Sequence, residues 1–271
     1  MMGFWLAQLQ KFFDVRAREL RMCDDEFAIN GYKALDQPSY WTEPIKKRLL
    51  DDIVTKLELS LEHHVLDVGC GTGMVLRQIA PHVAHVTGVD FSVDMLKIAR
   101  HHLPPNAMLR QANAADLPFK DETFDRVLCY HVITNFPDDD FTLSVLTQLI
   151  RVTRKGGFVL IGNTPDSDKK DVQTQLILQQ WRGTAYPAFR QPLLSRWEAC
   201  LKNIWRCRMW RRSVQPALSN RFYTRDFFRK FAWQTFCEIE ILPVDVEGYL
   251  YAPCRFDARL WPGGCHPIET R

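Results

Sequence analysis

The stretch that decides the fold is residues 63–83, HHVLDVGCGTGMVLRQIAPHV. An apolar run at residues 65–68 stops at three glycines in alternate positions, Gly69, Gly71 and Gly73, and a helical pattern follows at once. Glycines let a ligand approach the backbone, and a helix N-terminus offers free N–H groups. The stretch therefore predicts a ligand seat between a strand and a helix.

The composition fits a globular chain. Its 271 residues are 46% hydrophobic and 25% charged, enough for one large domain or for a domain with an elaboration. The net charge of +3 is too small to indicate nucleic acid by itself. No apolar run reaches the roughly 20 residues that span a bilayer. The first 22 residues lack a basic start and a cleavage site, so we predict an amphipathic helix over residues 3–28 and a cytoplasmic protein.

The eight cysteines do not form a disulfide pattern. Cys70 lies in the glycine loop and Cys129 in an apolar run, and a chain of this length needs no covalent staples. Cys254, Cys265 and His266 are an alternative set of metal ligands, but no C-x-x-C accompanies them. We predict ordinary thiols and no metal site.

Strands and helices alternate along the middle of the chain. A helix at TEPIKKRLLDDIVTKLEL precedes five strands, HVLDVG, HVTGVD, AMLRQAN, FDRVLCYHVI and FVLIGN, with helical patterns between them. This alternation predicts a parallel sheet covered by helices on both faces. After residue 163 the alternation stops, and a helix at TRDFFRKFAW with strands at CEIEILPV and VEGYLYAP closes the fold.

These patterns divide the chain into five segments. We predict N-terminal helices at 1–59, a ligand-binding core at 60–163, a helical, basic and Trp-rich insertion at 164–223, the last helix and closing strands at 224–255, and a tail at 256–271.

Two ligand classes compete for the glycine loop. A dinucleotide site uses G-x-G-x-x-G, but here the third glycine, Gly73, comes one position early and Met74 takes its place. The stretch VLDVGCGTG instead resembles the first motif of class I S-adenosylmethionine (SAM)-dependent methyltransferases. Four later stretches resemble the same family in order and spacing: VTGVDFSVDML, ANAADLPFKDETFD, FDRVLCYHVITNFPD and RKGGFVLIGN.

The resemblance covers roughly residues 60–163 and is greatest to the ubiquinone/menaquinone-biosynthesis type of methyltransferase domain. It implies a Rossmann-like fold with a mostly parallel seven-stranded sheet, N-terminal helices and a helical insertion after the fifth strand. It also implies SAM as cofactor, with S-adenosylhomocysteine (SAH) as its product. One glycine motif is weak support, whereas five ordered matches are strong.

The resemblance also assigns roles to single residues. Asp90 would accept from the ribose hydroxyls, Asp116 from the adenine amino group, and Asp67 would face the ammonium of the methionine moiety. Ala115 and Leu117 would flank the adenine. The implied cofactor-binding set is Asp67, Gly69, Cys70, Gly71, Gly73, Asp90, Phe91, Met95, Ala115, Asp116, Leu117 and Tyr130.

Each carboxylate also has a structural interpretation. Asp67 would merely end a strand, Asp90 would cap a helix at Ser92, and Asp116 would make a turn before Pro118. Their joint order favours the cofactor interpretation.

The exit of the fourth strand, CYHVITNFPD, faces the transferred methyl group in the family. Tyr130 and His131 lie there, and we predict them as catalytic residues, with His131 as the candidate general base. The alternative is that His131 contacts the cofactor through its backbone while its ring packs. The N/D-P-P-Y/F motif of adenine and RNA amino-methylases is absent from this position, which argues against that branch.

Basic charge is concentrated in the insertion and the start of the helix that follows it, with twelve Lys/Arg and two Asp/Glu in residues 182–230. A helical stripe there contains Trp197, Trp205 and Arg208, which we predict to bind the substrate as part of a lid. The alternatives are a helix that buries its apolar stripe on the sheet, a helix that contacts a membrane surface, and a nucleic-acid face.

The sequence thus predicts a methyltransferase for a small-molecule acceptor, with O-methylation of an anionic, aromatic or lipid-like metabolite. An RNA or protein methyltransferase that uses the basic insertion is a second hypothesis, although the small net charge makes a nucleic-acid partner the weaker one. A non-catalytic SAM-binding protein is a third.

Overall fold

A computed structural model describes residues 2–20, 42–183 and 221–263. The α-helices of these residues are α1 (Met2–Leu20), α2 (Glu43–Leu57), α3 (Met74–Ile79), α4 (Val93–His102), α5 (Asp139–Val152), α6 (Lys170–Gly183) and α7 (Arg225–Gln234). The strands are β1 (His64–Val68), β2 (His85–Asp90), β3 (Ala107–Gln111), β4 (Phe124–Tyr130), β5 (Thr153–Pro165), β6 (Glu238–Pro243) and β7 (Arg255–Trp261).

The strands form one seven-stranded sheet in the order β3-β2-β1-β4-β5-β7-β6. Strands β1 to β5 are parallel, and β7 runs antiparallel to both β5 and β6. The predicted fold class is therefore confirmed. The strand order reverses between β1 and β4, and open α/β sheets bind ligands in the crevice at the carboxyl ends of such strands.

The apolar runs of the strands form two cores, one on each face of the sheet. Val65 and Leu128 belong to the core that α2 and α3 cover. Leu66 and Val127 belong to the opposite core, which α5 and α7 cover. Neighbouring strand residues point to opposite faces, so a strand that is apolar at every position must be covered on both.

The predicted closing strand VEGYLYAP, residues 246–253, is wrong. Its apolar residues are buried, but they lie in turns rather than in the sheet. Gly248 has a φ of +82°, and the N–H of Tyr249 donates to the carbonyl of Val246 at 3.0 Å. Burial without strand pairing explains why the apolar pattern was misleading.

The seventh strand is instead β7, inside the segment that was predicted as a tail from residue 256. Its sequence RFDARLW alternates charged and apolar residues, which conceals a buried strand. Asp257 is fully buried and pairs with Lys56 of α2 at 2.6 Å, and Arg259 pairs with Glu58 at 2.8 Å. Helix α2 thus supplies the counter-charges that allow β7 to enter the sheet.

Two predicted segments lie partly outside the described residues. The N-terminal helix is described as far as Leu20, and the insertion as far as Gly183 and again from residue 221. No helix among the described residues is long and apolar enough to cross a bilayer.

Candidate functional site

The turn between β1 and α3 is built from left-handed backbone. Gly69, Gly71 and Gly73 have φ angles of +79°, +54° and +79°. A Cβ atom placed on Gly69 would lie 2.5 Å from Cγ2 of Val132, the residue behind the turn. Left-handed backbone and close approach both require glycine here, as the strand-turn-helix prediction assumed.

The Asp90 carboxylate ends β2 beside this turn and is buried. Its Oδ2 accepts from the N–H of Gly71 at 3.0 Å, and its Oδ1 accepts from the N–H of Ser92 at 2.8 Å. The cap of α4 is the Ser92 hydroxyl, which accepts from the N–H of Met95 at 3.2 Å. Asp90 therefore braces the glycine turn and keeps lone pairs for further donors, because a carboxylate accepts about four hydrogen bonds.

The Asp67 carboxylate near the end of β1 is only 3% exposed. No described residue donates a hydrogen bond to it. Burial, and secondly the charge of Asp90, raise the pKa of Asp67 to about 7. Burial also raises the pKa of Asp90 to about 6, against the lowering effect of its hydrogen bonds from Ser92 and Gly71. Two buried carboxylates that have no cationic partner among the described residues form a site that favours a positively charged ligand.

The loop after β3 is held by Asn113. Its Oδ1 accepts from the N–H of Ala115 at 3.0 Å, and its carbonyl accepts from the N–H of Asp116 at 2.9 Å. Leu117 is buried, whereas Asp116 is exposed. The loop has the turn that the structural interpretation required, and it also leaves the Asp116 carboxylate accessible to a ligand.

Helix α1 reaches the same region and contributes residues that the sequence analysis missed. The Ser92 hydroxyl donates to Oδ1 of Asp14 at 2.6 Å, and the rings of Phe13 and Phe91 meet edge to face at 5.6 Å. Met95 is 1% exposed and packs in one cluster with α1. No local sequence signal marks Asp14, because its partner lies 78 positions away.

The same helix also reaches the start of α5. The rings of Trp5 and Phe141 meet at 5.5 Å. Helices α4 and α5 begin at the carboxyl ends of β2 and β4, so a helix that contacts both starts crosses the carboxyl edge of the sheet. We infer that α1 covers the crevice on its open side.

The exit of β4 is packed closely against β5. A Cβ on Gly162 would collide with the Tyr130 ring, so Gly162 makes room for that ring. His131 and Asn163 have φ angles of +60° and +55°, in the left-handed region. Their side chains meet at 3.0 Å, between His131 Nδ1 and Asn163 Nδ2. Such backbone geometry at two facing residues is typical of functional sites.

A buried polar network supports this pair. The Tyr249 hydroxyl donates to Oδ1 of Asn163 at 3.1 Å, and the N–H of Asn163 donates to Oδ1 of Asp257 at 2.7 Å. The other oxygen of Asp257 accepts from Lys56. The network fixes the backbone of β5 where it leaves the sheet.

The environment of His131 does not suit a general base. Burial, and secondly the charge of Arg255, lower the pKa of His131 to about 3. Efficient general bases have a pKa near the working pH. These observations favour the alternative interpretation, in which the ring packs and the backbone shapes the site. Burial also raises the pKa of Cys70 well above its usual value, so this thiol stays protonated.

Three predicted substrate residues, Trp197, Trp205 and Arg208, lie outside the described residues, as do Cys265 and His266. Among the residues that are described, no three His, Cys, Asp or Glu side chains are grouped so that they could hold a metal. Cys254 is buried there as a free thiol.

Comparison with known proteins places the site in a family. Residues 65–157 match the model of a family described as a methyltransferase domain. The match begins in β1 and ends within β5, so it contains the glycine turn, Asp90, Asp116 and the exit of β4.

Similar proteins include a phosphatidylethanolamine N-methyltransferase of Cereibacter sphaeroides, 43% identical over 110 residues, which are 39% of this chain and 52% of that protein. A demethylmenaquinone methyltransferase of Alkalihalophilus pseudofirmus is 36% identical over 116 residues, 40% of this chain and 48% of that protein. These matches span about half the length of each relative. The solved structure of a DhpI–SAH complex superposes with a TM-score of 0.58 at 17% identity, over 96% of this chain and 97% of that one; it shows the shared fold.

Fold and site together define a Rossmann-like domain with two buried carboxylates beside its glycine turn. The chain contains a class I SAM-dependent methyltransferase domain, and SAM is the cofactor of that domain. The described residues fit this cofactor, because its sulfonium and ammonium are positive and Asp67 is a buried carboxylate without a donor. A phosphate-binding loop would need the opposite charge.

The affinity of the protein for SAM should rise with pH between about 5.5 and 7.5. A cationic ligand prefers ionised Asp67, and this group is mostly protonated in the free protein below a pKa of about 7. Below that pKa the affinity should rise by up to about tenfold per pH unit. Titration calorimetry across this range measures the effect, with Asp67→Asn as the control that should lose it. A flat profile for the parent would contradict a role for Asp67.

The raised pKa of Asp67 also predicts that the stability of the protein without SAM falls as the pH rises. The folded state holds a proton on Asp67 that the unfolded chain releases near pH 4. This contribution to stability is therefore lost as the pH rises from about 4 to about 7, and bound SAM should offset the loss.

Proposed function

We propose that the protein transfers a methyl group from SAM to the oxygen of a small-molecule acceptor. The observation that carries the proposal is the buried Asp67 carboxylate, which lacks a donor among the described residues and lies beside Asp90 and the glycine turn. This arrangement favours a cation and leaves room for a ligand against the backbone, and SAM meets both requirements.

The bound cofactor supplies an electrophilic methyl group on a positively charged sulfur. The chain's own residues hold and enclose it. Asp90 accepts from the ribose hydroxyls and Asp116 from the adenine amino group, while Ala115 and Leu117 border the adenine. Asp67 faces the ammonium. Helix α1 excludes water from the crevice, which strengthens these electrostatic contacts.

The acceptor site is proposed at the carboxyl ends of β4 and β5, on the methyl-group side of the crevice. Tyr130 and His131 lie there. Holding an acceptor in line with the methyl group supplies much of the rate, so a strong base is needed only for a poorly ionised hydroxyl. We assign His131 a positioning role, with its ring fixed by Asn163.

The relatives support a small-molecule acceptor. The names of two of them state methylation of phosphatidylethanolamine and of demethylmenaquinone, both lipid-like molecules. Their similarity covers only 39% and 40% of this chain, so they do not choose between oxygen and nitrogen. The basic, Trp-rich insertion remains our candidate for an acceptor lid, with contact to a membrane surface as its alternative.

The test is SAH release from SAM by the full chain, offered phenolic, carboxylate, amine and RNA acceptors in parallel. We expect SAH binding by calorimetry, and turnover with an oxygen acceptor. Turnover with amines alone would show that the acceptor atom is nitrogen and not oxygen. Salt-sensitive turnover with RNA would support the nucleic-acid hypothesis, and SAH binding without any turnover would support the non-catalytic one.

The same assay tests the positioning role of His131. A His131→Gln variant should raise the KM for the acceptor and lower kcat without changing the shape of the pH–rate profile, because the ring stays neutral above pH 5 or so. The loss of an ionisation near neutral pH in this variant would instead establish His131 as a general base.

A further inference from the structure

The start of β7 contains a half-buried arginine, Arg255, that has no anionic partner among the described residues. Nε and Nη1 of Arg255 are buried, and neither atom has a hydrogen-bond acceptor within the described residues. No carboxylate of those residues forms an ion pair with it. A guanidinium stays charged at any pH that a protein tolerates, so it cannot avoid the cost of burial by losing a proton.

The two carboxylates nearest in the sheet already have other partners. Asp257, two residues along β7, accepts from Lys56 and from the N–H of Asn163. Asp166 follows Pro165, the residue that pairs with Arg255 across the two strands, and it accepts from Arg225 at 3.2 Å. Neither carboxylate therefore neutralises the Arg255 guanidinium within the described residues.

The topology places this charge at the acceptor side of the crevice. Strand β7 is antiparallel to β5, so its first residue lies at the carboxyl end of β5, next to the exit of β4. The guanidinium lies 5.6 Å from the centroid of the Tyr251 ring, and its charge is close enough to His131 to depress the pKa of that ring. An aromatic face and a neutral imidazole accompany the cation.

We propose that Arg255 binds an oxyanion of the methyl acceptor, a carboxylate or a phosphate, and thereby selects anionic acceptors. The proposal rests on the proposed function, because the acceptor site is defined by the cofactor beside it. A guanidinium forms charge-assisted hydrogen bonds with either oxyanion, and such bonds are strong where water is excluded. Asp67 would thus bind the positively charged cofactor, and Arg255 would bind the negatively charged acceptor.

The test uses the full chain saturated with SAH and three probes of similar shape: benzoate, phenyl phosphate and neutral benzamide. Calorimetry should detect binding of both anions and little or no binding of benzamide. Arg255→Met should weaken the anions at least about tenfold and leave the affinity for SAH unchanged, whereas Arg255→Lys should keep part of the affinity. Arg229→Met, which removes an exposed arginine paired with Asp226, is the matched control and should change nothing.

Thermal unfolding of the free protein separates this role from a structural one. Arg255→Met removes a half-buried charge that has no anionic partner among the described residues, so the Tm should stay the same or rise by about 2 °C. A clear fall in Tm, or anions that bind equally to parent and Arg255→Met, would overturn the proposal. Should Arg255→Met fail to fold, Arg255→Lys keeps the anion test decisive. Benzoate preferred over phenyl phosphate indicates a carboxylate acceptor, and the reverse indicates a phosphate.

The proposed function fails by a different result. If SAH does not bind the parent, the cofactor assignment is wrong. If SAH binds but the anions bind equally well with and without the Arg255 side chain, the cofactor assignment stands and the proposed role of Arg255 is wrong.

Discussion

A Gly71→Val substitution is expected to lower the affinity for SAM at least about 100-fold, or roughly 3 kcal/mol. The backbone of Gly71 has a φ of +54°, where a branched side chain is strained. Its N–H also donates to Asp90. Valine would therefore disturb the turn and the carboxylate together, and its side chain would occupy space that the cofactor needs. Titration calorimetry with SAH measures the loss.

Gly156→Val is the matched control for backbone strain. Gly156 has a φ of +79°, yet a Cβ placed there meets nothing within 4 Å. It lies at the start of β5, far from the carboxyl ends of the strands. This variant should lose some thermal stability and bind SAH like the parent. Parent-like affinity in Gly71→Val as well would show that the cofactor does not lie against the turn.

Replacing Asp90 with alanine should weaken SAM binding by about 1–3 kcal/mol. The ribose hydroxyls lose a charged acceptor, and the N–H groups of Gly71 and Ser92 lose theirs. Removing this charge should also lower the pKa of Asp67, since Asp90 contributes to its elevation. The pH at which SAM binding reaches half its maximum should therefore fall in this variant, as calorimetry at several pH values would show.

Asp90→Asn separates the two roles of the carboxylate. The amide oxygen still accepts from one backbone N–H, so this variant should keep more thermal stability than Asp90→Ala. It lacks the negative charge, so its affinity for SAM should still fall. If either variant loses stability yet binds SAM as tightly as the parent, then Asp90 serves only to brace the glycine turn.

Local patterns in the sequence predicted the glycine turn and the position of Asp90 beside it. The three glycines and Asp90 lie within 22 residues of one another. The glycines belong to the turn after β1, and Asp90 is the last residue of β2. Parallel strands bring such ends to one edge, so the order along the chain already specifies the neighbours. The five parallel strands followed in the same way from short, mostly apolar runs that alternate with helical patterns.

Strand β7 and the position of α1 were predicted less well, because the contacts that hold them join residues far apart in the chain. The charged residues of β7 concealed a strand that Lys56 and Glu58 make possible by pairing with it. The contact between Asp14 and Ser92 likewise joins distant elements. Pattern rules assess each segment alone and therefore place charged residues in solvent.

The sequence by itself determined the class of fold, the place of the glycine turn and the carboxylates that surround it. Only the tertiary structure decided how these groups are charged and what faces them. Burial leaves Asp67 as a poorly ionised acid and His131 as a neutral ring. It also leaves Nε and Nη1 of Arg255 without a hydrogen-bond acceptor among the described residues. Desolvation and pairing depend on every element that packs around a group, and no local run of residues contains that information.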